Sequence, residues 1–128
     1  MTKANIIYKN NMTKMNKNNF RSLHLISDFK SPEFIEDTQR IKQILWKAAK
    51  IANNTPLKVA VHKFPNQGIT GVVILAESHI AIHTWPEYGY LAIDIFTCGK
   101  KTRPYAALEY FKKIFSPKKV KIKLIERG

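Results

Sequence analysis

The chain has one cysteine, nine acidic residues and no long apolar segment, and these scarcities limit its possible functions. A single cysteine cannot form an internal disulfide, which leaves Cys98 free for chemistry or burial and fits a reducing compartment. No apolar run approaches the roughly 20 residues that span a bilayer. The N-terminal residues lack the apolar stretch of a signal peptide. We therefore expect a cytoplasmic protein that has no membrane partner.

The chain has 22 lysines and arginines, which outnumber the acidic residues and give a net charge of +13 over 128 residues. This charge lies at the ends, because residues 1–19 carry four lysines and no acid, and residues 100–128 carry ten basic and two acidic residues. The sequence shows no helix-turn-helix, zinc-finger or aromatic-basic RNA motif. Since charge runs are usually just solvated, we expect no nucleic-acid partner. A basic nucleic-acid-binding module stays open as the alternative from another class.

Composition predicts one folded domain behind a disordered tail. Residues 1–19 are polar, rich in asparagine and lysine, and have little to bury, which predicts a disordered basic tail. The remaining residues, 20–128, suffice for a single domain with a modest core at a hydrophobic content of 45%.

Hydrophobic periodicity predicts six strands and two helices. The predicted strands are 20–28, 57–64, 69–76, 79–84, 90–97 and 119–126, and the predicted helices are 31–52, which begins at Ser31-Pro32, and 101–115. The order β-α-β-β-β-β-α-β with short central turns predicts an α+β two-layer sandwich, an antiparallel sheet with both helices on one face. Because the other face is left open, we expect a homodimer.

The stretch that concentrates reactive side chains runs from Ala76 to Gly99 and reads AESHIAIHTWPEYGYLAIDIFTCG. Strand alternation places His79 and His83 on one side of their strand, and Asp94 and Cys98 on one side of the next. Three interpretations fit these residues: a metal site, a cysteine nucleophile with His83 as base, and burial without chemistry. The two histidines have the spacing of a helical zinc pair, but their neighbours favour a strand, so we expect no metal. From the residues alone, burial without chemistry is favoured.

The same 24 residues closely resemble the self-processing region of the prokaryotic S-adenosylmethionine decarboxylase proenzyme family. The likeness extends upstream through His62–Phe64 and Gln67–Val72 and downstream to Ile125–Gly128, so it covers roughly residues 22–128. A block of this length with fixed spacing is a highly specific signal. The resemblance implies an S-adenosylmethionine decarboxylase of spermidine biosynthesis, in which two cleaved protomers form a homodimer. A pyruvoyl-dependent arginine decarboxylase, which shares the self-cleaving block, is the alternative substrate class.

The resemblance also implies where the chain cuts itself and what the cut produces. Cleavage between Glu77 and Ser78 would give chains 1–77 and 78–128, and Ser78 would become a covalent pyruvoyl cofactor. The pyruvoyl ketone would form a Schiff base with the substrate amine and accept electrons as carbon dioxide leaves. Neither a metal nor pyridoxal phosphate is then needed.

Roles for six further residues follow from the same resemblance. His83 would be the proton acceptor in processing, supported by the hydroxyl of Thr70. Cys98 would donate a proton to the substrate α-carbon, a task that suits a thiol because its pKa lies within reach of neutral pH. The implied substrate-binding residues are Glu87, for the ribose hydroxyls, and Phe64 and Trp85, for the adenine or the sulfonium. Packing against a dimer face, for the two aromatic residues, and a simple turn position, for Glu87, remain open as alternatives.

Overall fold

The protein's structure, a computed structural model, describes residues 22–128. Over these residues it contains the predicted six strands and two α-helices in the predicted order. The bounds are β1 Ser22–Lys30, α1 Thr38–Ile51, β2 Thr55–Lys63, β3 Ile69–Ala76, β4 Ser78–Trp85, β5 Tyr90–Cys98, α2 Pro104–Phe115 and β6 Lys119–Arg127. The predicted tail, 1–19, and the first residues of the predicted first strand lie outside the described residues. Within the described range, no helix is long and apolar enough to cross a bilayer.

The six strands form one antiparallel sheet in the order β2-β3-β4-β5-β1-β6. Strands β2 to β5 follow one another as hairpins, and β1 enters between β5 and β6. Helix α1 packs over β2, β3 and β4, and α2 packs over β5 and β1, on the same side of the sheet. The predicted α+β two-layer sandwich is therefore confirmed.

The core lies between the sheet and the two helices and follows the strand alternation. On β5, Leu91, Ile93 and Ile95 are buried, as predicted, while Asp94 and Cys98 lie on the opposite, half-exposed face. The helices contribute fully buried side chains to the same core: Ile41, Ile44, Leu45, Ala48, Leu108, Phe111 and Phe115. One face of the sheet is thus used for packing, and the other, here called the open face, is available for chemistry or a partner.

The predicted start of the first helix at Ser31-Pro32 is wrong, because α1 begins only at Thr38. Ser31 has a φ of +51°, and its amide donates a hydrogen bond of 2.7 Å to the carbonyl of Gly89. The N-cap is Asp37, whose carboxylate accepts a hydrogen bond of 3.1 Å from the amide of Gln39. The helix therefore has 14 residues, about four turns, and is shorter than the predicted range of 31–52.

The second helix also begins later than predicted, at Pro104 instead of Lys101. The preceding residues are tied to the end of α1: the amide of Arg103 donates to the carbonyl of Ala52 at 2.8 Å, and the Asn54 side chain donates to Thr102 Oγ1 at 3.0 Å. A proline in the first turn needs no amide partner, which favours helix initiation there. These hydrogen bonds join the two helices at one end of the molecule.

Candidate active site

The turn between β3 and β4 carries the predicted cleavage point. Leu75 pairs with Ser78 in the sheet, so only Ala76 and Glu77 form the turn. Ser78 has a φ of +90°. A residue with a β-carbon adopts such a conformation at a cost of about 1–3 kcal/mol. Backbone strain is thus localised at the residue whose hydroxyl is predicted to attack Glu77.

The cysteine lies beside this turn. Ser78 pairs with Thr97 across β4 and β5, so the next residue, Cys98, stands at the end of β5 next to Glu77. Burial raises the pKa of the Cys98 thiol, and the charge of the Glu77 carboxylate and its hydrogen bond raise it further. The thiol is therefore held in its protonated form, the form that a proton donor needs.

Thr97, which lies opposite Ser78, was not assigned a role from the sequence. Its side chain is fully buried, and its Oγ1 has no hydrogen-bond partner among the described residues. Buried hydroxyls without a partner are uncommon. The sequence contains a signal for this residue, because the alternation of β5 places the polar Thr97 at a position that faces the core.

A second group of predicted residues gathers on the open face. Thr70 and His83 are directly paired on β3 and β4, and Thr70 Oγ1 lies 3.3 Å from His83 Nδ1. This cluster is extended by two residues that the sequence did not assign to a role. Asp94 Oδ2 is 4.0 Å from His83 Nε2, and Asp94 Oδ1 is 3.1 Å from His24 Nε2. The alternation of β1 and β5 was the signal for both, because it placed them on the open face.

His83 and Ser78 are not brought together within one chain. Both belong to β4, five residues apart, which corresponds to about 16 Å along a strand. An odd separation also places two strand residues on opposite faces. Thr70, the partner of His83, is equally remote from the turn. The residues predicted for processing and for decarboxylation therefore form two groups, Glu77-Ser78-Cys98 and Thr70-His83.

The predicted substrate-binding residues lie at the His83 end of β4. Trp85 stacks on Tyr90 with centroids 5.2 Å apart, and its ring lies 6.2 Å from that of His83. Phe64 is 44% exposed and Trp85 is 39% exposed, so both offer aromatic surface. Glu87 is exposed in the short helical turn that follows β4.

Close backbone packing fixes the loop that carries Phe64. The amide of Phe64 donates a hydrogen bond of 3.0 Å to the carbonyl of Gly68, which closes the β2–β3 turn. Gly68 has a φ of +94°, and a β-carbon there would lie 2.7 Å from the carbonyl oxygen of Thr84. Only glycine allows this approach, so the turn is held against the end of β4 next to Trp85.

Residues 22–128 contain no group of three or more histidine, cysteine, aspartate and glutamate side chains that could hold a metal ion. His79 and His83 lie on a strand, where four residues correspond to about 13 Å. The helical zinc pair that was considered from the sequence therefore does not form.

An antiparallel sheet with helices on one face and histidines, a carboxylate and a thiol on the other defines a small α+β catalytic domain. A family model described as S-adenosylmethionine decarboxylase matches residues 23–128. The chain therefore belongs to the S-adenosylmethionine decarboxylase family, as the resemblance predicted.

Individual proteins agree with this assignment. A protein from Thermodesulfovibrio yellowstonii named S-adenosylmethionine decarboxylase proenzyme is 46% identical over 107 residues, covering 82% of this chain and 79% of that protein. One of the same name from a Sulfurihydrogenibium species is 44% identical over 108 residues, covering 83% and 81%. The crystal structure of the adenosylmethionine decarboxylase from Aquifex aeolicus matches with a TM-score of 0.75 at 37% identity, over 84% of this chain and 90% of that chain. The predicted fold and the predicted enzyme class, a decarboxylase, are both confirmed.

Proposed function

We propose that this protein is a self-processing S-adenosylmethionine decarboxylase that supplies the aminopropyl donor for spermidine biosynthesis. The observation that carries the proposal is the strained Ser78 in the two-residue turn after β3, with the Cys98 thiol against Glu77. The names of the relatives favour S-adenosylmethionine over arginine as the substrate. They also favour an enzyme over the nucleic-acid-binding alternative.

Processing begins at the strained turn. Ser78 Oγ attacks the carbonyl carbon of Glu77, the peptide C–N bond breaks, and the hydroxyl proton passes to the freed nitrogen, which leaves an ester. A base then removes the Cα proton of Ser78, the Cβ–Oγ bond breaks, and the Glu77 carboxylate leaves as the new end of chain 1–77. Water replaces the nitrogen of the resulting dehydroalanine, and ammonia departs. Chain 78–128 then begins with a pyruvoyl group. The strain at Ser78 supports the first step, because it raises the energy of the peptide that is consumed.

The described residues around the turn fit a pyruvoyl group. Ser78 provides its carbon skeleton, and the unpartnered, buried hydroxyl of Thr97 lies on the paired residue of β5. Once formed, the group supplies a ketone that accepts the electron pair released with carbon dioxide. The protonated Cys98 thiol beside it is the proposed donor of a proton to the substrate α-carbon.

We place His83 and Thr70 at the Ser78 of a second copy of the chain. Within one chain the separation of about 16 Å along β4 prevents His83 from accepting a proton from Ser78. A two-fold axis perpendicular to the strands makes the β4 strands of two copies run in opposite directions, so the His83 end of one lies beside the Ser78 end of the other. Ile74, 47% exposed on the open face, gives the homodimer apolar surface to bury.

The substrate-binding proposal follows from the same pairing. Phe64 and Trp85 present aromatic faces near His83, and such faces attract a sulfonium cation or stack on adenine. Glu87, in the adjacent turn, would accept hydrogen bonds from the ribose hydroxyls. These residues of one protomer would thus complete the site built on Ser78 of its partner.

The intact mass of the denatured protein tests self-processing. We expect two chains, 1–77 and 78–128, the second lighter by one ammonia than a peptide beginning with serine. Ser78→Ala is the control and should remain a single chain. A wild-type protein that stays full length after long incubation would refute the proposed function.

Co-expression tests the contribution of the second copy. A chain with Ser78→Ala retains His83, and a chain with His83→Ala retains Ser78. We expect the His83→Ala chain to be cleaved faster when the Ser78→Ala chain is present, because only the mixed dimer contains a complete site. Equal cleavage with and without the partner chain would show that His83 does not act across the dimer.

Release of carbon dioxide from labelled substrates tests the activity itself. We expect turnover of S-adenosylmethionine, and turnover of arginine alone would overturn the substrate assignment. A variant that lacks residues 1–19 should decarboxylate at nearly the wild-type rate if domain 20–128 contains the whole site. A single free thiol is typical of a protein in a reducing compartment, which supports a cytoplasmic location.

A further inference from the structure

We propose that Asp94 is a positioning residue for His83 during self-processing, and that His24 holds Asp94 in place. The inference rests on the proposed function, in which His83 accepts a proton. Four neighbouring strands each contribute one side chain to a row across the open face: Thr70 from β3, His83 from β4, Asp94 from β5 and His24 from β1.

The sheet register explains why this row forms. Asp94 pairs directly with Ala81 on β4 and with Ile26 on β1, so His83 and His24 are its diagonal neighbours on the same face. Diagonal neighbours lie about 7–8 Å apart at their Cα atoms, within reach of polar side chains. The Asp94 carboxylate therefore stands between two imidazole rings.

The carboxylate determines which nitrogen of His83 carries the proton. With Asp94 Oδ2 4.0 Å from Nε2, the negative charge favours the neutral form that is protonated at Nε2. This leaves Nδ1 as an acceptor, and Nδ1 is the atom that lies 3.3 Å from the Thr70 hydroxyl. Asp94 thus acts through His83 and contacts no reacting atom.

His24 fixes the orientation of the carboxylate. Its Nε2 lies 3.1 Å from Asp94 Oδ1, and its ring packs against Phe96 with centroids 5.1 Å apart. With one oxygen engaged by His24, the other is directed towards His83. The side chains of Asp94 and His83 are about one-third exposed in the single chain, so solvent screens their interaction only in part.

The size of the effect follows from the 4.0 Å separation. Ion pairs that solvent partly screens contribute little, up to about fivefold in an equilibrium or a rate. For a pair that is one-third exposed, we expect Asp94→Asn to slow cleavage about three- to fivefold.

Cleavage after refolding tests the inference, with the appearance of chain 78–128 followed by mass. Asp94→Glu should recover much of the rate that Asp94→Asn loses, and His24→Gln should fall between Asp94→Asn and the wild type. Asp28→Asn is the matched control. Asp28 lies on the same face, but its carboxylate accepts a hydrogen bond of 2.6 Å from the Tyr90 hydroxyl and does not contact His83. It should cleave at the wild-type rate. Cleavage of Asp94→Asn within twofold of the wild type would overturn the inference.

The imidazole ¹⁵N shifts of His83 provide a readout that a purely structural role would not change. Measured in the uncleavable Ser78→Ala protein, they should report a proton on Nε2, and adding Asp94→Asn should shift the population towards the Nδ1 form. An unchanged tautomer in a folded double variant would also overturn the inference. This measurement does not depend on cleavage, whereas failure of the wild type to cleave would overturn the proposed function itself.

Discussion

The strain at Ser78 can be measured with two variants that cannot cleave. Both Ser78→Gly and Ser78→Ala remove the hydroxyl and leave one full-length chain, so they differ only in the β-carbon. At a φ of +90° a β-carbon costs about 1–3 kcal/mol, which glycine avoids. Glycine in turn loses about 0.5–1 kcal/mol more conformational entropy on folding. The middle of each range, about 2 and about 0.75 kcal/mol, leaves Ser78→Gly the more stable variant by about 1 kcal/mol.

The assay is urea unfolding of both variants at one protein concentration, since association affects the apparent stability. A difference of 1 kcal/mol corresponds to about 4–8 °C in the melting temperature of a domain of about 100 residues. Ala81→Gly, in the same strand, is the control. Position 81 has ordinary strand geometry, so glycine should destabilise it by about 0.5–1 kcal/mol. The reasoning is refuted if Ser78→Ala is as stable as Ser78→Gly, because the backbone at the cleavage point would then be unstrained.

Three further predictions concern packing and the thiol. Gly71→Ala should lower the free energy of unfolding by about 1–3 kcal/mol, because its β-carbon would lie 2.9 Å from Leu45 Cδ1 in a filled core, and urea unfolding measures this. Phe111→Ala should cost about 3–5 kcal/mol in the same assay, since the ring is fully buried; a loss below 1 kcal/mol would contradict this packing. In the uncleaved protein, Glu77→Gln should increase the rate at which Cys98 reacts with iodoacetamide at pH 8. Removing the carboxylate charge lowers the raised pKa of the thiol and so increases the thiolate fraction; an unchanged rate would show that burial alone raises it.

Strand alternation made most of the fold predictable. The apolar residues of β5, at every second position, identified the core face, and the polar residues between them identified the open face, where Asp94 now lies. Short turns between the central strands predicted antiparallel neighbours, which the sheet has. These predictions succeed because a two-residue period is a local property of the chain.

The start of α1 was not predictable in the same way. Phe34 fits the helical spacing of apolar residues, yet it packs against the core from residues 31–37, which form neither a helix nor a strand. A long-range hydrogen bond from Ser31 to the carbonyl of Gly89 holds that segment. Such a contact depends on the tertiary structure, so the local signals of a cap and a proline were misleading.

The distribution of chemistry along β4 determines how a site can be assembled. Ser78 and His83 stand five residues apart on one strand, and an odd number of residues places them on opposite sides and about 16 Å apart. In a single chain the proposed nucleophile, Ser78, and the Cys98 thiol therefore stand at one end of β4, and the proposed proton acceptor, His83, stands at the other. In two chains related by a two-fold axis, the symmetry that brings Ser78 of the first chain to His83 of the second also brings Ser78 of the second to His83 of the first.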